Sequence, residues 1–360
     1  MPSYARKEIV ADGEVGVYHC VNRCVRRAWL CGQDPVTGKS FEHRQDWLRD
    51  RLEELAASFA VDVCGFSVMS NHFHAVLRTR PDVVDTWSDE EVARRWWRLF
   101  PKRRDDEGQP AEPEPHELRM LTADEDALAE RRRRLANLSW FMRCLSEPIA
   151  RRANREDSCR GRFWEGRYRC QKLLDDAAIL ACSVYVDLNP IRAGIAQTPE
   201  DSEYTSAKQR IETRQEEAAR SEDSSAPEDE AASADGAVRD PDGWLCPVCL
   251  DGDAEAKTGR SGNRRASNKG YLPMGLEDYL RILDWTGRQV RSDKRGAIPP
   301  ELRPILERLG VRGESWVDCV QNFGRWFHRA AGRVTRLAGA AAQAGRQWFH
   351  GVSRCRQAFA

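Results

Sequence analysis

No stretch of this chain approaches the roughly eighteen consecutive apolar residues that a bilayer span requires, and residues 1–10 carry no apolar secretory core. A cytoplasmic protein without a membrane partner is expected. Histidine is scarce, with seven in 360 residues, and net charge is absent, with 57 basic residues against 57 acidic. A balanced total predicts no acidic partner, so any electrostatic argument rests on where the charges sit. Hydrophobic residues make up only 41%, little for one large core at this length, which leaves part of the chain for surface or disorder. The twelve cysteines have no regular spacing and read as reduced thiols rather than a disulfide framework. Cys246 and Cys249 form a lone CxxC, and Cys319 and Cys355 do not supply two further ligands at similar spacing, which disfavours a structural zinc site.

What is present is organised unevenly. "VYHCVNRCV" alternates apolar and polar residues after Gly16 and predicts a strand over Val17–Val25. In "HRQDWLRDRLEELAASFA", Trp47, Leu48, Leu52, Leu55 and Phe59 recur at helical spacing. Strands over Val61–Met69 and His72–Arg78, joined by a tight turn at Ser70 and Asn71, complete a β-α-β-β start. Residues 81–134, with "KRRDDEGQPAEPEPHE" and "ADEDALAE", fit an exposed charged insertion better than a core element. Apolar spacing then returns as a helix in "LANLSWFMRCLSEPIARRAN" and an extended segment in "GRFWEGRYRCQKLL". "DDAAILACSVYVDL" predicts a second helix, capped by Asp175 or Asp176 and stopped near Pro190. Residues 201–266 read mostly as an acidic, disordered linker, and residues 267–360 as a separate helical region. "DWTGRQVRSDKRGAIP" and the Arg-rich last helices fit either an accessory DNA contact or a packing domain.

The candidate chemistry begins with "SNHFHAVL". On a strand, His72 and His74 point to one face and Phe73 and Ala75 to the other, a geometry able to hold one divalent ion. Two half-exposed strand histidines are the plainer reading of that pair alone. Tyr185 and Asn189 stand four apart, so a helix running to its last turn would stack phenol and amide on one face. Tyrosine is a poor nucleophile at neutral pH unless a metal on the attacked phosphate neutralises charge. Between Arg131 and Lys172, thirteen basic residues face four acidic ones, with Trp140, Phe141, Phe163, Trp164 and Tyr168 interleaved. Arginine for phosphates and aromatic rings for unpaired bases suit single-stranded or looped nucleic acid.

In this order, "MSNHFHAVL", "GRFWEGRYRCQKLLDDAAIL" and "YVDLNPIRAGIA" resemble the single-tyrosine HUH transposases, above all the REP-associated tyrosine transposase branch. The opening "GVYHCVNRCVRRAWL" is similar to that family's first strand, and the match spans about Tyr4 to Ala196. The resemblance implies a catalytic domain over 1–200 of α/β (α+β) class, with a ferredoxin-like antiparallel sheet. It also implies a Mg²⁺ or Mn²⁺ ion on His72, His74 and Asn189, and Tyr185 as nucleophile. The implied reaction cuts single-stranded or hairpin DNA through a 5′-phosphotyrosine link and then transfers the strand. Arg143, Arg151, Arg152, Arg162, Trp164, Arg167, Arg169 and Lys172 are the expected DNA contacts, and a monomer is expected over a homodimer. A non-cleaving DNA-binding regulator and an RNA-binding regulator are the alternatives. Two departures stand out: the 81–134 insertion directly after the histidine strand, and the chain beyond residue 200.

Overall fold

The alternation read at the start becomes strand β1 (Gly16–Arg23) in the computed structural model. It describes residues 9–11, 13–25, 29–223, 242–250, 264–291, 306, 307, 309 and 311–359. Helix α1 (His43–Ser58) buries Leu48, Leu52 and Leu55, and β2 (Val61–Val68) and β3 (His72–Thr79) follow as a hairpin closed by Met69 N–H donating to His72 O at 2.8 Å. After an intervening helical segment come α6 (Leu138–Glu156) and β4 (Arg169–Leu173). The strand order is β2-β3-β1-β4-β5, antiparallel except where the two-residue β5 (Ala330–Ala331) runs parallel to β4. The first four strands with α1 and α6 form the β-α-β-β-α-β, ferredoxin-like arrangement of an α+β protein.

The period of two along each strand divides the side chains between two cores. On one face Tyr18, Cys20, Phe66, Phe73, Ala75 and Leu77 pack with Leu48 and Leu52 of α1 and Phe141 and Leu145 of α6. On the other, Val17, Val76 and Leu173 pack against helix α7 (Asp176–Asp187). His74 lies opposite Val21 on one side and Ser67 on the other, which assigns it to the α7 face.

The reading of 81–134 as an exposed insertion is corrected. The segment folds into α2 (Pro81–Val84), α3 (Asp89–Leu99), α4 (Pro115–Thr122) and α5 (Glu125–Leu135), and it buries Val84, Val92, Trp97, Leu118 and Leu128. Its apolar residues are few but aligned, and its charges satisfy the backbone. Ser88 accepts from Glu91 N–H, Asp124 from Ala127 N–H, and Arg132 donates to the carbonyls of Val84 and Trp87. Composition averages over that alignment and misses it.

The linker reading also gives way in part. Helix α9 (Ser206–Asp223) begins against the sheet, and Trp244, Leu245, Cys246 and Val248 are buried, with Asp242 ion-paired to the fully buried Arg210. Residues 224–241 and 251–263 of that stretch lie outside the described residues, as do residues 292–305, 308 and 310 of the helical region expected over 267–360. The chain beyond 270 is not a separate unit. Helices α10 (Leu276–Arg291), α11 (Trp316–Trp326), α12 (Val334–Gln343) and α13 (Val352–Ala358) share one core with α7. No helix among the described residues is long and apolar enough to cross a membrane.

Trp97 is 1% exposed and its indole N–H donates to Ala111 O at 2.6 Å. Trp97→Ala is expected to cost about 3–5 kcal/mol, measured by chemical denaturation, because it leaves a large cavity and an unpaired carbonyl. A loss below about 0.5 kcal/mol would restore the exposed-insertion reading.

Candidate active site

Helix α7 carries the tyrosine, and a carboxylate fixes each of its ends. At the start Asp175, one of the two expected N-caps, accepts from Ala178 N–H at 3.0 Å and also from Arg333 N–H at 2.6 Å. At the end the fully buried Asp187 accepts from the Ser206 hydroxyl, from Ala207 N–H at 3.1 Å and from the Tyr279 hydroxyl at 2.5 Å. Burial pushes the Asp187 carboxyl up from its usual range, against the pull of those donors and of Arg210. The helix stops there, Leu188 breaks the pattern, and Pro190 sits in the first turn of the short α8 (Asn189–Arg192).

Between these anchors the half-buried Tyr185 rests on the histidine face of the sheet. Its ring centroid is 5.7 Å from that of His74 and 5.9 Å from that of His19, both edge-on. His72 and His74 are themselves 5.0 Å apart between ring centroids. The Arg192 guanidinium stands 4.5 Å from the Tyr185 ring centroid, donates to Asn189 Oδ1 at 3.0 Å and reaches Gln321 O at 2.6 Å. Phe323 of α11 leans on the tyrosine ring at 5.7 Å. The next residue is Gly324, where a Cβ would come within 2.8 Å of the Tyr185 hydroxyl. Any larger residue there would push against the tyrosine side chain.

His19 and Gln171 are absent from the sequence reading, yet they complete the site. Gln171 Oε1 lies 3.4 Å from His19 Nδ1, and His19 Nε2 lies 2.8 Å from His74 Nδ1. With the Gln171 amide in this orientation its oxygen only accepts. His19 therefore carries its hydrogen on Nδ1, and its bare Nε2 accepts from His74 Nδ1–H. His74 is left with Nε2 as a lone-pair donor. Asn71 Oδ1 at 2.7 Å does the same for His72 Nδ1. The signal for His19 was its strand parity, but that parity becomes informative only once β1 is known to pair with β3.

Burial holds all three rings neutral. His19 and His72 are pushed down to about 4, His72 further by Arg23, and His74 is pushed well below its ordinary value by burial, its histidine neighbours and Arg192. Neutral imidazoles with free Nε2 atoms suit a divalent metal. Asn189 fits less directly, since its oxygen already accepts from Arg192 and its buried Nδ2 has no partner. Among the described residues no three His, Cys, Asp or Glu side chains gather as a metal site. The protein thus offers two nitrogen ligands, and oxygen from water or phosphate would have to complete the shell.

The expected DNA contacts separate into groups. Arg143, Arg151 and Arg152 lie exposed on α6, in the layer opposite the histidines; Arg143 and Arg151 pair with Glu147, and Arg152 stacks on Trp47 at 3.9 Å. Arg162 and Arg167 are exposed before β4, Lys172 is half-buried, and Arg169, opposite Val21, shares the histidine face. The structure contradicts Trp164 as a stacking platform. It is 9% exposed, packs on Phe73 and Phe163, and donates its indole N–H to Ser146 O at 2.8 Å.

No family profile and no curated protein matches the chain. Among solved structures, a REP-associated tyrosine transposase bound to a REP hairpin matches at 12% identity and a TM-score of 0.32, over 66% of this chain and 96% of that one.

The buried histidines set a pH dependence. The unfolded chain takes up protons near 6.5, whereas the folded His19 and His72 resist them until about 4. Stability is therefore complete above about 6.5 and is lost as pH falls through that window. Thermal unfolding is expected to show this acid loss, and a His19→Asn variant to flatten it; equal slopes in both proteins would contradict the assignment.

Proposed function

We propose that the protein is a tyrosine-dependent single-strand DNA nuclease and strand transferase acting on hairpin-bearing DNA, of the transposase type. The observation that carries this reading is the contact of Tyr185 with the His72–His74 face. A nucleophile-bearing helix, anchored at both ends, meets two neutral imidazoles whose second nitrogens are already engaged. Core tyrosines do not need such company.

In the proposed reaction Tyr185 Oη forms a bond to phosphorus as the P–O3′ bond breaks. The 3′ oxygen leaves with a proton and the 5′ phosphate remains on the tyrosine. Attack by another 3′-hydroxyl reverses the exchange and reseals a strand, so the bond energy is conserved. His72 and His74 would hold Mg²⁺ or Mn²⁺ through Nε2, and the ion, when bound, would neutralise charge on the attacked phosphate. Arg192, over the tyrosine ring, adds fixed positive charge beside the reacting oxygen. His19 and Gln171 orient His74 rather than touch substrate. Phe323 sets the ring's angle from the other side.

The crowding over Tyr185 favours a second reading. With Gly324 against the hydroxyl and Arg192 on the Asn189 oxygen, a DNA-binding regulator that never cuts would keep the site closed in this way.

One assay separates the two. Wild-type protein with Mn²⁺ and a pool of labelled DNA hairpins is expected to give a covalent adduct on a denaturing gel, and Tyr185→Phe none. His72→Ala or His74→Ala should abolish the adduct while hairpin affinity changes little, because neither removes a phosphate contact. His19→Phe should slow adduct formation by roughly 10–100-fold, the range for a group that orients a ligand. Hairpin binding without adduct in any protein would establish the non-cutting reading.

A further inference from the structure

The last 42 residues have a charge pattern unlike the rest of the chain. From Cys319 to Ala360 there are seven arginines and no Asp, Glu or Lys. On α6, by contrast, Arg143 and Arg151 share Glu147. Here the segment has no carboxylate of its own to offer.

The fold gathers part of this segment into one surface. The rings of His328 and His350 stack in parallel with centroids 4.2 Å apart, Arg329 approaches the Phe349 ring at 5.8 Å, and Arg354 approaches the Trp326 ring at 5.0 Å. The end of α11, the loop before α13 and the first turn of α13 are thereby joined. Arg325 and Arg354 are exposed, and Trp348, on the same loop as His350, is 68% exposed. An indole left so open in an arginine-rich segment without carboxylates is unusual for a packing surface.

Its place in the sheet gives it direction. Lys172 N–H donates to Arg329 O at 2.8 Å, and β5 lies beside β4, so the surface continues the edge that carries Arg169. On α11, Trp326 comes three residues after Phe323, which touches Tyr185. Trp326, at the near end of this surface, thus stands about one helical turn from the residue that touches the tyrosine.

We propose that Arg325, Arg329 and Arg354 with Trp348 form a second contact for single-stranded DNA, which grips the strand next to the Tyr185 site; this rests on DNA being the ligand, as read above. The arginines neutralise backbone phosphates, and the open indole stacks an unpaired base. The contact carries no base code, so it serves strand placement rather than sequence choice.

The test uses the full-length chain, metal-free, and the anisotropy of a labelled mixed-sequence DNA strand over a range of salt concentrations. Arg325→Gln/Arg329→Gln/Arg354→Gln is expected to weaken binding at least about tenfold and to lower the salt slope by about 2, near 0.7 for each lost contact. Trp348→Ala should weaken binding several-fold with the slope unchanged, and thermal unfolding should show both variants folded. A folded triple variant that binds like the parent overturns the proposal, as does tighter binding of an RNA strand of the same sequence. Because the assay scores no cleavage, it is separable from the catalytic reading. A parent that binds through these arginines but never forms an adduct sinks the chemistry and leaves this surface standing, whereas a parent that binds no DNA sinks both.

Discussion

The arrangement depends on how α7 is fixed against one face of the sheet. A helix end leaves backbone groups unpaired, and here a carboxylate manages each end: Asp175 at the start and Asp187 at the close. Both also reach beyond their own helix. Asp175 takes the N–H of Arg333 and so draws in the segment before α12, while Asp187 gathers the first turn of α9 and the Tyr279 side chain of α10. Segments remote in sequence therefore fix the height and angle of one helix, and Tyr185 inherits that precision. A buried carboxylate is stable only with such donors around it, so the three helices and the anion depend on each other.

Burial then sets the chemistry of the imidazoles. Three histidines share a region shielded from water, with Arg192 near by, and protonating any of them would place a charge where solvation is poor. They stay neutral and hydrogen-bond in sequence, from Gln171 through His19 to His74. Fixing one tautomer in this way aims a lone pair without a charged partner. The cost is that acid works against the folded state, which ties the integrity of the site to that of the fold.

Charge is segregated by layer. The arginines of α6 stand on the side away from the histidines and are partly matched by Glu147, while Arg169 and the carboxylate-free C-terminal segment belong to the tyrosine side. A net charge of zero conceals that division. The acidic residues of 81–134 likewise cap helices and pair with nearby arginines instead of forming a repulsive loop.

The strands β1 and β3 and the helices α1 and α6 were legible because each has a strong local period: two for the strands and 3.6 for the helices. The cap at Asp175 and the shared face of His72 and His74 were legible for the same local reason. The helices of 81–134 were not, since a few aligned apolar residues are lost in a charged composition, and Trp164 was misread because an aromatic among arginines looks the same whether exposed or buried. Gln171, Phe323 and Gly324 had no local signal, and the strand parity of His19 informs only once its partner strand is known. Their roles arise from the pairing of β1 with β3 and β4 and from the docking of α11 on α7, contacts made across 55 to more than 130 positions. Sequence by itself determined which residues could do chemistry and on which kind of element they stand, because periodicity and capping act within a few residues. Tertiary structure alone decided which of them meet, because burial and strand register are properties of the whole packed chain.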